Sequence, residues 1–200
     1  MYSRGNKSPR RQVRHRQRAS DVSTESRFRA LVLPHLDAAY NLARWLARDP
    51  HDAEDVVQDA CVRALKYLDA VRGADAKPWF LTIVRRAFYD WYRSNRSPEI
   101  VRDDGLAIDS AVDESAIDPA QAAERRGNSD ALEDAVGNLP LVYREVLLLR
   151  EMEELSYKEI AHIVDIPIGT VMSRLARARA LLQRSPFLRA IVAERAGGRP

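Results

Sequence analysis

The tripeptide Asp165-Ile166-Pro167 splits the stretch from Ser156 to Leu182 into two short amphipathic runs. Proline fixes φ and lacks an amide donor, so it suits the start of a helix and not its interior. The chain must therefore stop one helix near Val164 and begin another just after Pro167. In the first run Ile160, Ala161 and Val164 share a face, while Lys158, Glu159 and His162 point away. Ser156 followed by Glu159 has the spacing of a capping box. In the second run Val171, Leu175, Ala178 and Leu182 form the buried stripe, leaving Thr170, Ser173, Arg174, Arg177 and Arg179 on accessible faces. No acidic residue opposes those arginines within the helix. Two helices set at an angle by a tight turn, the second rich in arginine, fit a helix-turn-helix that lays its second helix in a DNA major groove. An ordinary amphipathic pair with a solvated basic face is the competing reading. Asp165 stands where a glycine often relieves such a turn; Asp tolerates a left-handed φ better than most residues.

The remaining chain narrows the choice. Two hundred residues with 46% hydrophobic and 30% charged side chains suit one medium soluble domain or two small ones. Cys61 is the single cysteine, which leaves no disulfide framework or multi-cysteine zinc site within one chain. The four histidines, His15, His35, His51 and His162, are scattered, and neither a metal site nor a Ser-His-Asp arrangement is identifiable. Neither a metal nor a cofactor is expected. No apolar run approaches the roughly 18 residues of a membrane span, and no apolar h-region follows the N-terminal arginines. A cytoplasmic protein without membrane insertion is expected.

The net charge of +3 hides a polarity along the chain. Residues 1–24 read as a disordered basic arm, with Arg10, Arg11, Arg14, Arg16 and Arg18 among residues that bury nothing. Such an arm serves either nucleic-acid affinity through counterion release or plain solubility. Residues 25–96 read as a helical domain. Phe28, Leu31, Val32 and Leu36 lie on one helix interrupted or bent at Pro34, and Ala39, Leu42, Ala43 and Leu46 continue its face. After Asp49-Pro50, a helix capped by Asp52 or a residue just before it has Val56, Val57, Ala60, Cys61, Ala64, Leu65 and Leu68 as a wide buried stripe. Glu54, Asp55, Gln58 and Asp59 cluster on its exposed N-terminal half, which is either helix-start acidity or a docking face for a basic partner. In the next helix Trp79, Ile83, Ala87 and Trp91 are expected inside, with Arg85, Arg86, Tyr89, Tyr92, Arg93 and Arg96 on the other side. Cations interleaved with aromatics suit a nucleic-acid strand, although aromatics in small helical domains are more often core.

Residues 97–130 form a flexible acidic linker punctuated by Pro98, Gly105 and Pro119. Residues 131–184 make a second helical domain in which Val142, Val146, Leu147 and Leu149 carry a helix packed beneath the reading helix, followed by a mostly polar turn from Glu151 to Glu154. Residues 185–200 are a tail with room for one short helix at Phe187, Leu188, Ile191 and Val192. The fold class is all-α: two small helical domains joined by the linker.

Taken together, DAEDVVQDACVRAL (Asp52 to Leu65), WFLTIVRRAFYDWYR (Trp79 to Arg93) and the run from Leu139 to Leu182 resemble a group 4, or extracytoplasmic-function, sigma factor of bacterial RNA polymerase. The resemblance covers about residues 25 to 184. It implies a non-enzymatic subunit that binds core RNA polymerase and promoter DNA and that an anti-sigma factor holds inactive. By this resemblance Asp52, Glu54, Asp55, Gln58 and Asp59 dock on the polymerase clamp. The connection from Asp69 and the helix after it, with Lys77, Trp79, Arg85, Arg86, Tyr89, Tyr92 and Arg93, capture and help melt the minus-10 element. Thr170, Met172, Ser173, Ala176 and Arg177 read the minus-35 element, with Arg174 and Arg179 for phosphates. The family often has Asn in place of Arg86, and larger or charged residues in place of Met172 and Ala176, so promoter bases do not carry over. A conventional helix-turn-helix regulator, an adaptor without promoter reading and a nucleic-acid enzyme are the alternatives from other classes.

Overall fold

A computed structural model describes residues 24–71, 76–95 and 128–185. The expectations for the basic arm, for most of the linker and for the tail beyond residue 185 lie outside the described residues. Every regular element among the described residues is helical.

Residues 24–31 form α1, which ends in a 3-10 turn at Leu33–His35. Pro34 is the cause, because its ring removes a donor and blocks continuation of the preceding helix. Helix α2, Leu36–Ala47, buries Ala39, Leu42, Ala43, Leu46 and Ala47, a stripe at helical spacing. It stops at Arg48, whose φ of 67° is left-handed and whose amide donates to the Arg44 carbonyl. Helix α3, Pro50–Tyr67, is capped by Asp49, which accepts from the amides of His51 at 2.8 Å and Asp52 at 3.2 Å. The cap is thus Asp49, and Pro50 takes the first helical position, where a missing donor costs nothing.

The buried stripe of α3 is narrower than its sequence suggests. Ala53, Val56, Ala60 and Ala64 are buried, Val57 and Cys61 are half-buried, and Leu65 is exposed. Three alanines in that stripe let α3 sit close to α2 and α4, and close approach leaves less of its circumference covered. Helix α4, Lys77–Asn95, is enclosed on more of its surface. Phe88 is its centre, fully buried, with Tyr89 edge-on at 5.3 Å and Tyr92 at 5.6 Å between ring centroids.

Here the expected orientation is corrected. Ile83 and Ala87 are inside as expected, but Trp79 and Trp91 are only half-buried, whereas Tyr89 and Tyr92 are core residues. A spacing of four follows one edge of an apolar stripe. Helix α4 has helices on two sides, α2 and α3 on one and a helix of the second unit on another, so its buried arc extends beyond that edge.

The second unit comprises α5 (Asn128–Gly137), α6 (Leu141–Glu151), α7 (Tyr157–Val164) and α8 (Ile168–Arg184). Every residue of α6 from Leu141 to Leu149 is buried, including Arg144 and Glu145. A helix covered all round must have neighbours all round. Helix α6 packs beneath α8, as expected, touches α7, and presents another face to α2. Helix α7 in turn lies against both α8 and α4. The two units are therefore in contact, and their buried residues form one continuous cluster.

Candidate nucleic-acid interface

The turn that launches α8 is built from local chemistry. At its start Ser156 and Glu159 close the capping box: the Ser156 amide donates to Glu159 Oε2 at 2.7 Å, and the Glu159 amide donates to Ser156 Oγ at 3.3 Å. The Ser156 hydroxyl also donates to Glu159 Oε2, and this bond, with the one from the Ser156 amide, holds the Glu159 carboxyl below the ordinary carboxylate range. Upstream, Arg150 Nη1 donates to the Leu155 carbonyl at 2.8 Å and its guanidinium lies 5.3 Å from the Tyr157 ring centre, tying the incoming turn to α7. Helix α7 ends at Asp165, with φ 60° and ψ 51°. The left-handed geometry expected there is present, on a residue that is not glycine.

Helix α8 is anchored by Val171, Leu175 and Ala178, all buried, with Leu182 half-buried. Because these positions recur every three or four residues, the opposite face is left outward. Met172, Ser173, Ala176, Arg177 and Arg179 are exposed, and Thr170 and Arg174 are half-buried. Ser173 Oγ donates back to the Thr170 carbonyl at 3.0 Å. Arg177 Nη1 lies 3.4 Å from the Tyr143 hydroxyl, and Arg179 Nη2 donates to Glu151 Oε1 at 2.7 Å, both partners belonging to α6. The acidic partner of Arg179, absent from its own helix, comes from another.

On α4 the cations expected to face DNA divide into two groups. Arg86 and Arg93 are exposed, Arg93 with a long ion pair of 3.5 Å to Asp90. Lys77, Arg85 and Tyr89 are engaged by the second unit. Arg85 Nε donates to Glu145 Oε1 at 2.6 Å, the Tyr89 hydroxyl donates to Glu145 Oε2 at 3.3 Å, and the Arg85 guanidinium lies 4.6 Å from the Tyr89 ring centre. Lys77 Nζ meets Glu153 twice, at Oε2 (2.9 Å) and at the backbone carbonyl (3.0 Å). Glu145 is 1% exposed and Glu153 is 7% exposed. The turn from Glu151 to Glu154, expected to be mostly polar, contributes one buried carboxylate. Burial raises the Glu145 pKa, against the attraction of Arg85 and the hydrogen bonds from Arg85 and Tyr89. Burial also pushes the Tyr89 phenol well up, assisted by the Glu145 charge. For Arg85 burial works against the charged form, yet Glu145 and Tyr89 together outweigh it and its pKa is raised. Tyr89 and Tyr92, both core residues, do not offer exposed ring faces here.

The acidic cluster of α3 is where the sequence placed it. Glu54, Asp55, Gln58 and Asp59 are exposed and Asp52 is half-buried. Asp59 is also structural: it pairs with Arg63 at 2.7 Å, and Arg63 reaches across to Asp90 on α4. Beyond the cluster, Val62, Leu65 and Tyr67 are 51%, 44% and 59% exposed. Gln58, Val62 and Leu65 recur at i, i+4 and i+7, so an apolar strip continues the acidic face. The exposed apolar part was missed because a hydrophobic residue beside a buried stripe reads as part of it. Among the described residues no helix is long and apolar enough to cross a membrane, and no cluster of metal-ligating side chains occurs.

Comparison with known proteins follows this division. Residues 31–97 match the family described as Sigma-70 region 2, and residues 129–182 match Sigma-70, region 4. The chain is 31% identical over 149 residues to the ECF RNA polymerase sigma factor SigM of Bacillus subtilis, covering 74% of this chain and 88% of that one. It is 34% identical over 146 residues to the ECF RNA polymerase sigma-E factor of Escherichia coli, covering 69% and 76%. Among solved structures it resembles the sigma factor RpoE of Bartonella quintana in complex with the anti-sigma factor NepR, with a TM-score of 0.60, 33% identity, and coverage of 79% of this chain and 94% of that one. It also resembles CnrH in complex with the cytosolic domain of CnrY, with a TM-score of 0.55 and 25% identity over 78% and 85% of the two chains.

Proposed function

The chain belongs to the extracytoplasmic-function sigma factors of the sigma-70 family, and from that membership we propose how its surfaces divide the work of initiation. A sigma factor is not an enzyme. It binds core RNA polymerase and promoter DNA and directs transcription initiation, while the polymerase carries out phosphoryl transfer.

The carrying observation is the outward face of α8, where Met172, Ser173, Ala176 and Arg177 stand exposed above the buried anchors Val171, Leu175 and Ala178. This face, with Thr170, reads the minus-35 element in the major groove, and Arg174 and Arg179 hold flanking phosphates. Arg179 exchanges Glu151 for phosphate on binding. Helix α4 serves the minus-10 element: Arg86, Arg93 and Trp79 are accessible for strand contact as the units stand, and Lys77, Arg85 and Tyr89 become so when the units separate. The buried Tyr92 supports α4 from within. Polymerase docking uses Asp52, Glu54, Asp55, Gln58 and Asp59, to which the apolar strip of Val62 and Leu65 adds burial.

The working parts are residues 25–96 for docking and melting and residues 131–184 for minus-35 reading, joined by the acidic linker of residues 97–130. Two weak DNA contacts fixed at a set separation by polymerase act bivalently. The complexes of RpoE with NepR and of CnrH with CnrY support an anti-sigma partner for this chain, and its place of action is the cytoplasm. In vitro transcription from a pool of genomic fragments, with matched core polymerase and with or without this protein, tests the reading. Discrete new start sites sharing two upstream elements are expected. With Asp55→Lys, competition for core polymerase should fall; undiminished competition refutes the docking face.

A further inference from the structure

The outward surface of α8 is chemically divided along its length. Thr170, Arg174 and Arg177, at i, i+4 and i+7, share one flank, and their side chains can donate hydrogen bonds. Ile168, Met172 and Ala176 recur every four residues and form a second strip. Ile168 is 46% and Met172 53% exposed, and Ala176 is exposed as well. No side chain on this strip has a donor, and its one acceptor is the weak thioether of Met172. Gly169 lies beside the strip, where a Cβ would meet nothing within 4 Å, so packing does not demand a glycine there. Its bare backbone leaves room for another surface to come close. The helix carries no acidic residue, so whatever covers the strip must also suit arginines. A polyanion with an apolar feature fits both demands.

In the major groove one base-edge feature matches an apolar side chain, the C5 methyl group of thymine. Met172 and Ala176 have no donor for the N7 and O6 acceptors of guanine, and Ala176 has no acceptor for the amino groups of adenine and cytosine. We propose that Met172 and Ala176, continued by Ile168, read thymine methyl groups in the minus-35 element, beside the base that Arg177 reads. The inference rests on the reading of α8 as the minus-35 helix. Positions 172 and 176 lie about 6 Å apart along the helix, at about 1.5 Å per residue, and bases stack about 3.4 Å apart. The two side chains therefore reach base pairs within two steps of each other. Met172, the longer side chain, carries most of the contact.

The promoter itself gives the first readout. Start sites recovered with this protein and matched core polymerase should share a T·A pair at one or two fixed minus-35 positions; their absence overturns the proposal. The second readout uses that duplex with deoxyuridine in place of thymidine at those positions, which removes the C5 methyl and nothing else. Holoenzyme affinity should fall about fourfold for each methyl lost, and deoxyuridine in the spacer should change nothing. At the same position 5-methylcytosine should bind better than cytosine, because it restores the methyl alone. Met172→Ala should weaken binding to the thymine duplex and erase the thymine–uracil difference at the position it contacts. Circular dichroism checks that this variant is folded, as expected for an exposed side chain. Equal affinity for thymine and uracil duplexes, or a difference of unchanged size in Met172→Ala, overturns the assignment. Scrambling the minus-35 element separates the two readings. If scrambling and Arg177→Ala both weaken binding while uracil is silent, the thymine contact falls and the reading of α8 stands. If scrambling leaves affinity unchanged, that reading falls and the proposal with it.

Discussion

Replacing Ser156 by alanine removes a cap from the shortest helix of the second unit and tests how that unit is held together. Helix α7 has 8 residues, too few to persist on propensity alone, so packing and its ends must hold it. The alanine loses the acceptor for the Glu159 amide and the hydroxyl that donates to the Glu159 carboxylate. Loss of such a cap costs about 1 kcal/mol. If the two units melt as one body, that is a fall in Tm of about 2–4 °C; if the second unit melts alone, about 4–8 °C. Thermal unfolding by circular dichroism therefore reports both the cap and the cooperativity between units. Ser156→Thr should keep most of the stability. The pH dependence has a definite sign. Bonds from Ser156 lower the Glu159 pKa, so their stabilisation is present above the ordinary carboxylate range and lost as pH falls through the lowered value. The gap between parent and Ser156→Ala should narrow on acidification below about pH 4. An unchanged Tm at neutral pH, or a gap that widens in acid, refutes the capping argument.

Further outcomes follow from other parts of the molecule. Asp165→Gly relieves a left-handed backbone at φ 60° and should stabilise by about 0.5–1 kcal/mol in denaturant unfolding; a loss would show that Asp165 contributes more than its backbone shape. Arg177→Ala should cut transcription from minus-35-dependent promoters by roughly tenfold, as for loss of one good base contact, while leaving core binding intact. Equal loss on promoters lacking that element would count against base reading.

Much of the second unit was legible in local sequence. The Ser156 to Glu159 spacing, the break at Pro167 and the anchors Val171, Leu175 and Ala178 each act within a turn or so of helix, and all are present. The same holds for the break at Pro34 and for the exposed acidic run from Glu54 to Asp59. The errors share a different origin. Leu65 reads as core and is exposed because the alanines of α3 draw its neighbours to one side. Tyr89 and Tyr92 read as an outer face and are buried: Tyr89 meets Glu145 of the second unit, and Tyr92 lies beside Phe88 in the core.

Helix positions, their caps and the outward face of α8 were thus determined by the sequence itself, since they depend on residues three or four apart. What only the tertiary structure decided was the partnership across the units. Arg85 and Glu145 are separated by 60 positions and Lys77 and Glu153 by 76. No periodicity links residues so far apart. A carboxylate on a helix reads as solvated until another helix is placed over it, and desolvation then makes its choice of cation decisive.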